Sequence, residues 1–189
     1  MNLPKNKHLI IFDFDETLCK NNEKIPRTDR HTNHTTFITP GEYSRWRETG
    51  EYDLNPSRWE LDFSQFTGYP MKGEPIEPVI NKLREAIDDK SYVCALVTGR
   101  DELSGPREFL DTILVDTHKM ILMCSGDPNK RPAFESLINT LLPKSVTVYE
   151  DCPSYIKQCE EVCKKYNLPC IAVLVSDGAL NYSWNEKRN

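Results

Sequence analysis

The chain of 189 residues carries a net charge of −5, with 38% hydrophobic and 28% charged residues. These proportions exclude a fibrous repeat and a disordered polyelectrolyte and suit one packed core of several strands and helices. Net acidity disfavours general affinity for a polyanion, because long-range repulsion must then be overcome by clustered basic residues.

The first apolar run, residues 9–14, reads as a core strand. It turns acidic too early for a secretory signal, and no run approaches the roughly 18 apolar residues of a membrane span. A chain without a membrane span in a reducing, cytoplasmic compartment is the expectation. Residues 20–73 then break the periodicity with Pro, Gly, Trp, Arg and Thr, and read as an insertion. Within it, 41–49 predicts a short helix after Pro40, and Trp46, Trp59, Phe63 and Phe66 predict a small aromatic cluster. His31 and His34, three residues apart, read as exposed loop histidines. His8 and His118 show no evident partner.

Beyond the insertion, helical patterns at 77–87, near 106–114, at 133–142 and at 154–166 alternate with strand-like runs at 92–97, 120–124, 146–149 and 170–175. This order predicts an α/β fold: a Rossmann-like three-layer sandwich with a central, mainly parallel sheet of about five strands. The whole of 1–189 is expected to be one domain, with the polar end, 181–189, frayed.

The seven cysteines, at 19, 94, 124, 152, 159, 163 and 170, contain no Cys-x-x-Cys pair, so neither a zinc ribbon nor a disulfide framework is indicated. Cys94 and Cys124 read as buried thiols. Cys159 and Cys163 stand one helical turn apart, but without a matching Cys or His pair they are not expected to hold a metal.

Parallel sheets place ligands beyond the carboxyl ends of their strands, so the residues after each apolar run carry the functional reading. The first run continues into Asp13-Phe14-Asp15-Glu16-Thr17-Leu18, with two carboxylates of one parity at the strand end. The run at 92–97 leads into Thr98-Gly99-Arg100, a hydroxyl, a permissive glycine and a cation. Lys130 follows the run at 120–124 just before a helix, and the run at 146–149 ends in Glu150-Asp151.

In this order, DFDET, VTGR, a lysine and YED resemble the four motifs of the haloacid dehalogenase superfamily of phosphohydrolases, over residues 8 to about 175 apart from the insertion. The resemblance implies Asp13 as nucleophile and Asp15 as general acid and base. It implies Thr98, with Gly99 and Arg100, as the phosphate-binding segment and Lys130, or Arg131 beside it, as the charge-neutralising cation. Mg2+ would be held by Asp13, the backbone carbonyl of Asp15, and Asp151 with Glu150. The implied reaction is hydrolysis of a phosphomonoester through an aspartyl phosphate. Such a set is needed because an ionised carboxylate approaching a phosphate dianion meets roughly 4 kcal/mol of repulsion per unit charge at about 4 Å, with an effective dielectric of about 20.

DFDETL also looks like the opening motif of the phosphoprotein phosphatases in this superfamily, whose fourth motif, Asp-Asn-Ser-Pro, is absent here. An insertion of this length allows a small helical flap rather than a large cap, leaving access for a phosphorylated macromolecule. A phosphorylated protein side chain is the first expected substrate, with Arg45, Arg47, Trp46 and Trp59 as edge contacts. A nucleic-acid end is the second, and a catalytically inactive binding module on the same fold is the third.

Overall fold

The computed structural model describes residues 6–51, 55–66, 73–125 and 129–182. Strand β1 (His8–Phe12) is flanked on both sides by parallel partners, β7 (Tyr92–Thr98) in the register His8↔Tyr92 and β9 (Ser145–Glu150) in the register His8↔Ser145. A strand paired on both edges and covered on both faces has no solvent side, which explains its unbroken apolar run. Strand β8 (Met120–Cys124) adds parallel to β7, and β10 (Cys170–Ser176) parallel to β9.

A sixth strand, β11 (Ala179–Asn181), pairs antiparallel with β10, giving the order β11-β10-β9-β1-β7-β8. The expected count of five is therefore one short. The connection is the two-residue turn Asp177-Gly178, both with positive φ (49° and 78°), the conformation that two-residue hairpins favour and that Asp-Gly supplies at low cost. Asn181, expected to fray, is thus a paired residue, and of the remaining expected tail 183–189 lies outside the described residues.

The alternation of side chains along β1 divides the core in two. Ile10 and Phe12 face one apolar cluster with α2 (Glu77–Asp88) and α3 (Ser104–Thr112), through Val79, Ile80, Leu83, Phe109 and Leu110. Leu9 and Ile11 face a second, with Phe134, Leu137 and Ile138 of α4 (Arg131–Leu141) and Ile156 and Val162 of α5 (Pro153–Lys165). Each fully buried side chain of this size contributes about 1.5–3 kcal/mol of transfer free energy, so helices on both faces anchor the strand that ends at Asp13. Helices α2, α4 and α5 each carry proline in the first turn, where its missing N–H costs nothing. Helix α3 begins and ends two residues earlier than the expected 106–114. Leu114 adopts a positive φ of 60° and is 90% exposed, so it lies beyond the helix rather than on its apolar face.

The segment 20–73 is richer in strands than a helical flap. Strands β2 (Cys19–Asn21) and β6 (Gly73–Pro75) pair antiparallel where it leaves and rejoins the main sheet. A Cβ at Gly73 would collide with Cys19 Sγ and crowd the Lys20 carbonyl, so this close approach requires glycine. Beyond it, β3 (Ile25–Asp29), β4 (His34–Ile38) and β5 (Trp59–Leu61) form a three-stranded antiparallel sheet. Helix α1 (Pro40–Glu48) starts at a capping box, with Thr39 Oγ1 accepting the Glu42 N–H at 3.1 Å and the Glu42 carboxylate accepting the Thr39 N–H at 2.7 Å.

The expected aromatic cluster is two groups. Trp46 and Trp59 meet edge to face at 5.6 Å, with the Arg27 guanidinium 4.9 and 4.6 Å from their rings. Phe63 contacts Tyr43 and Phe66. His31 and His34 lie exposed at the β3–β4 turn. His8 does have partners: its Nδ1 meets Ser145 Oγ, and its ring packs on Tyr92. No helix among the described residues is long and apolar enough to cross a membrane.

Candidate active site

The carboxyl ends of β1, β7 and β9 open into a cleft of about 900 Å3. Asp13 leaves β1 with its N–H still bonded to the Tyr149 carbonyl at 3.0 Å, which sets it beside Glu150 at the end of β9. Three residues on, Glu16 takes a positive φ of 57°, rarely adopted by a residue with a long side chain. The turn that includes it is closed by Leu18 and Cys19 N–H groups donating to the Phe14 carbonyl at 2.9 and 3.0 Å.

Lys130 is only 1% exposed, and its Nζ donates to Asp13 Oδ1 at 2.5 Å and to Glu150 Oε2 at 2.8 Å. It precedes α4, whose first turn is fixed by Gln158 of α5: the Gln158 side-chain oxygen accepts the backbone N–H groups of Lys130 at 2.9 Å and Arg131 at 3.1 Å. The Tyr155 ring lies 4.5 Å below the Lys130 ammonium, adding a cation–π contact. Arg131, the other candidate cation, instead pairs with Glu161 on the surface.

Asp13, Glu150 and Asp151 offer oxygens within 4.8 Å of one another; the first two are buried and the third half-buried. Burial, followed by the neighbouring carboxylates, raises Asp151 well above the ordinary carboxylate range and Glu150 to about 7. Burial also raises Asp13, although Lys130 opposes the shift. Burial works against the charge on Lys130, but Asp13 and Glu150 overcome it and hold the ammonium above the ordinary lysine range. Three acids facing one lysine carry an excess of negative charge, and their all-oxygen donor set fits a hard divalent cation such as magnesium.

Asp15 turns elsewhere. Arg100 grips it bidentately, with Nε to Oδ2 at 2.8 Å and Nη2 to Oδ1 at 2.7 Å, and Asn21 Nδ2 donates to Oδ1 at 2.9 Å. The third guanidinium nitrogen donates to the Phe66 carbonyl at 2.6 Å. Arg100, expected as a substrate contact, therefore has all its nitrogens engaged within the chain. The Asp15 carboxylate stands outside the acidic trio, so only its backbone carbonyl is in question as a metal ligand.

Thr98 is fully buried; its hydroxyl accepts the Arg100 N–H at 3.2 Å, and its carbonyl accepts from Ser125 N and Oγ at 2.9 Å. The cleft wall here is Gly99, Arg100 and Asp101 rather than Thr98. Of the expected edge contacts, Arg47 and Trp59 line the cleft beside Arg30, Tyr43 and Phe63, whereas Arg45 and Trp46 line a separate groove.

Asn21, Phe66, Tyr155 and Gln158 are not apparent as site residues from the sequence. Tyr155 and Gln158 had a signal, since both follow Pro153 in the first turns of a helix leaving a strand's carboxyl end. Asn21 and the Phe66 carbonyl had none, because their roles depend on where the insertion folds.

No family model and no curated protein matches the chain. Among solved structures it is similar to the Legionella pneumophila effector Ceg4, crystallised with an N-terminal yeast Hog1p sequence, at 16% identity and a TM-score of 0.55. The similarity covers 99% of this chain and 94% of that one, and it is a likeness of fold. The chain is a mixed α/β protein with a mainly parallel six-stranded sheet flanked by helices.

Proposed function

We propose that this chain is a magnesium-dependent phosphomonoester hydrolase on a Rossmann-like, haloacid-dehalogenase-type domain, with residues 20–73 as a small cap, acting on phosphorylated protein side chains. The observation that carries the reading is the Lys130 ammonium shared between Asp13 and Glu150 at the carboxyl ends of adjacent parallel strands, with Asp151 completing the acidic trio. Burying such a set of charges is costly, and costs of this kind cluster at functional sites.

Asp13, Glu150 and Asp151, with the Asp15 carbonyl, would hold the ion, which supplies charge neutralisation and Lewis acidity to the phosphoryl oxygens. Lys130 orients the Asp13 carboxylate and offers its charge to the incoming phosphate. A carboxylate oxygen of Asp13 attacks phosphorus in line, forming an acyl phosphate. The bond to the leaving oxygen breaks with its electron pair on that oxygen, which takes a proton from Asp15. Water then attacks the phosphorus, gives its proton to Asp15, and releases inorganic phosphate with Asp13 regenerated. In the geometry described, Asp15 must exchange Arg100 for the leaving group to act as a donor.

A wide cleft and a net charge of −5 favour a phosphoprotein over a polyanion. A phosphorylated oligonucleotide end is the second reading, favoured by Arg30 and Arg47 beside Trp59 and Phe63 in the cleft wall. The test compares Mg2+-dependent phosphate release from phosphotyrosine and phosphoserine peptides, nucleotides, and 3′- or 5′-phosphorylated oligonucleotides. Preference for peptides supports the first reading and preference for oligonucleotide ends the second. No release from any, even from an activated aryl phosphate, would sink both.

A further inference from the structure

At the opposite end of the sheet from the cleft, α5 and β10 bring three thiols together. Cys159 and Cys163 pack from α5 into the apolar layer over the sheet, and Cys170 opens β10 beside them. The chain turns back between them, with the Leu168 N–H bonded to the Cys163 carbonyl at 2.9 Å. The three sulfurs lie within 4.8 Å of one another. Cys159 and Cys163 are buried, Cys170 is half-buried, and all three are free. Cys159 and Cys163, read from the sequence as lacking a matching Cys or His pair, are joined by one further sulfur, which this turn supplies and helical spacing alone does not reveal.

We infer that Cys159, Cys163 and Cys170 form a binding site for a thiophilic metal ion, monovalent copper in preference to zinc. Three sulfurs around one ion at a bond length of about 2.3 Å stand roughly 4 Å apart, which small side-chain rotations reach from the separations here. No histidine, carboxylate or fourth cysteine joins the group among the described residues. Zinc in structural sites takes four ligands, so its tetrahedron would be incomplete. Hard cations find no carboxylate in the group among the described residues, whereas thiolates select soft ions such as Cu(I). As sulfur–metal bonds form, displaced thiol protons pass to solvent and the ion keeps its oxidation state. The half-buried Cys170 gives the entry path.

Cys170 pairs with Val146, four residues before Glu150 on β9, so the thiols stand about 13 Å along the strand from the carboxylates at 3.3 Å per residue. The soft and hard donor sets share no ligand, and the thiol site stands or falls independently of the hydrolase reading.

The test uses the reduced, metal-free full chain, titrated anaerobically with Cu(I) as its acetonitrile complex. Sulfur-to-copper charge-transfer absorbance and native mass spectrometry read the binding. The expected result is one equivalent bound by the parent chain and none by C159S/C163S/C170S of unchanged far-ultraviolet dichroism. Cys170→Ser alone, altered at the half-buried position, is expected to keep the fold and lose the charge-transfer band. Alkylation mapping covers the case in which the triple variant fails to fold: copper should protect Cys159, Cys163 and Cys170 together. A parent chain that binds no copper, a triple variant that binds undiminished, or protection confined to Cys19, Cys94, Cys124 or Cys152 overturns the site.

Discussion

Lys130 and Asp13, 117 residues apart in sequence, meet at 2.5 Å at the floor of the cleft, both almost wholly buried. Removing one partner of a buried pair leaves the other charge uncompensated, at a typical cost of about 3–5 kcal/mol. Lys130→Met should therefore lower the melting temperature of the metal-free protein and reduce kcat by about 10²–10³, the usual loss for a preorganised charge-stabilising donor. Thermal melts with and without Mg2+, alongside phosphate release, check both. Unchanged kcat would remove Lys130 from the chemistry.

Asp13→Asn keeps the size of the side chain and its place beside Lys130 but removes the proposed nucleophile. Turnover should vanish while circular dichroism stays unchanged. Rapid acid quench of the parent chain should trap a phosphorylated species that this variant does not form. Substantial residual turnover in Asp13→Asn would defeat the assignment.

The acidic trio sets a pH dependence. Glu150 is raised from 4.5 to about 7 in the metal-free fold, by burial and by Asp13. Between those values the folded chain holds a proton that the unfolded chain has released, so stability falls as pH rises from about 4.5 through 7. Mg2+ binding requires the ionised carboxylates, so its affinity should rise over the same interval and offset the loss. Melting curves from pH 5 to 8 with and without Mg2+ measure this. A metal-free melting temperature that rises across the interval would contradict the arrangement.

Arg100 ties Asp15 to the Phe66 carbonyl, joining the proposed proton donor to the insertion. Asp15→Asn should cost about 10²–10⁴ in kcat, the usual range for a general acid or base. Arg100→Lys keeps a charge but loses the planar two-pronged grip on Asp15, which Asp15 must release to donate its proton, so the variant should change kcat rather than KM. A pure KM effect would instead mark Arg100 as a substrate contact.

The parallel strands were legible because burial on both faces forces branched and aromatic runs; the acids and Thr98-Gly99-Arg100 stood where those runs stopped, and Lys130 just before the helix that follows one of them. The insertion strands were not. Ile25-Pro-Arg-Thr-Asp and His34-Thr-Thr-Phe-Ile lack an apolar alternation, and they are held by cross-strand contacts such as Thr28 to Thr35 at 2.9 Å. The sixth strand was missed despite its Asp177-Gly178 turn, because its three residues are too few to show a period. The long-range pair of Arg100 with Asp15, and the approach of Cys170 to Cys159 and Cys163 across the turn after α5, depend on tertiary folding and leave no mark on local spacing.

The glycine-dependent approach of Gly73 to Cys19 has a bearing on how such a chain can change over generations. The segment from β2 to β6 joins the main sheet through one narrow strand pair, reinforced by the Ile76 N–H to the Leu18 carbonyl at 2.9 Å. Entry and exit are fixed independently of what lies between, and longer loops add closure cost only slowly. Changes within residues 25–66 can thus alter which molecules reach the cleft while Asp13, Lys130 and Glu150 stay as they are, provided a backbone carbonyl still meets Arg100 where Phe66 does.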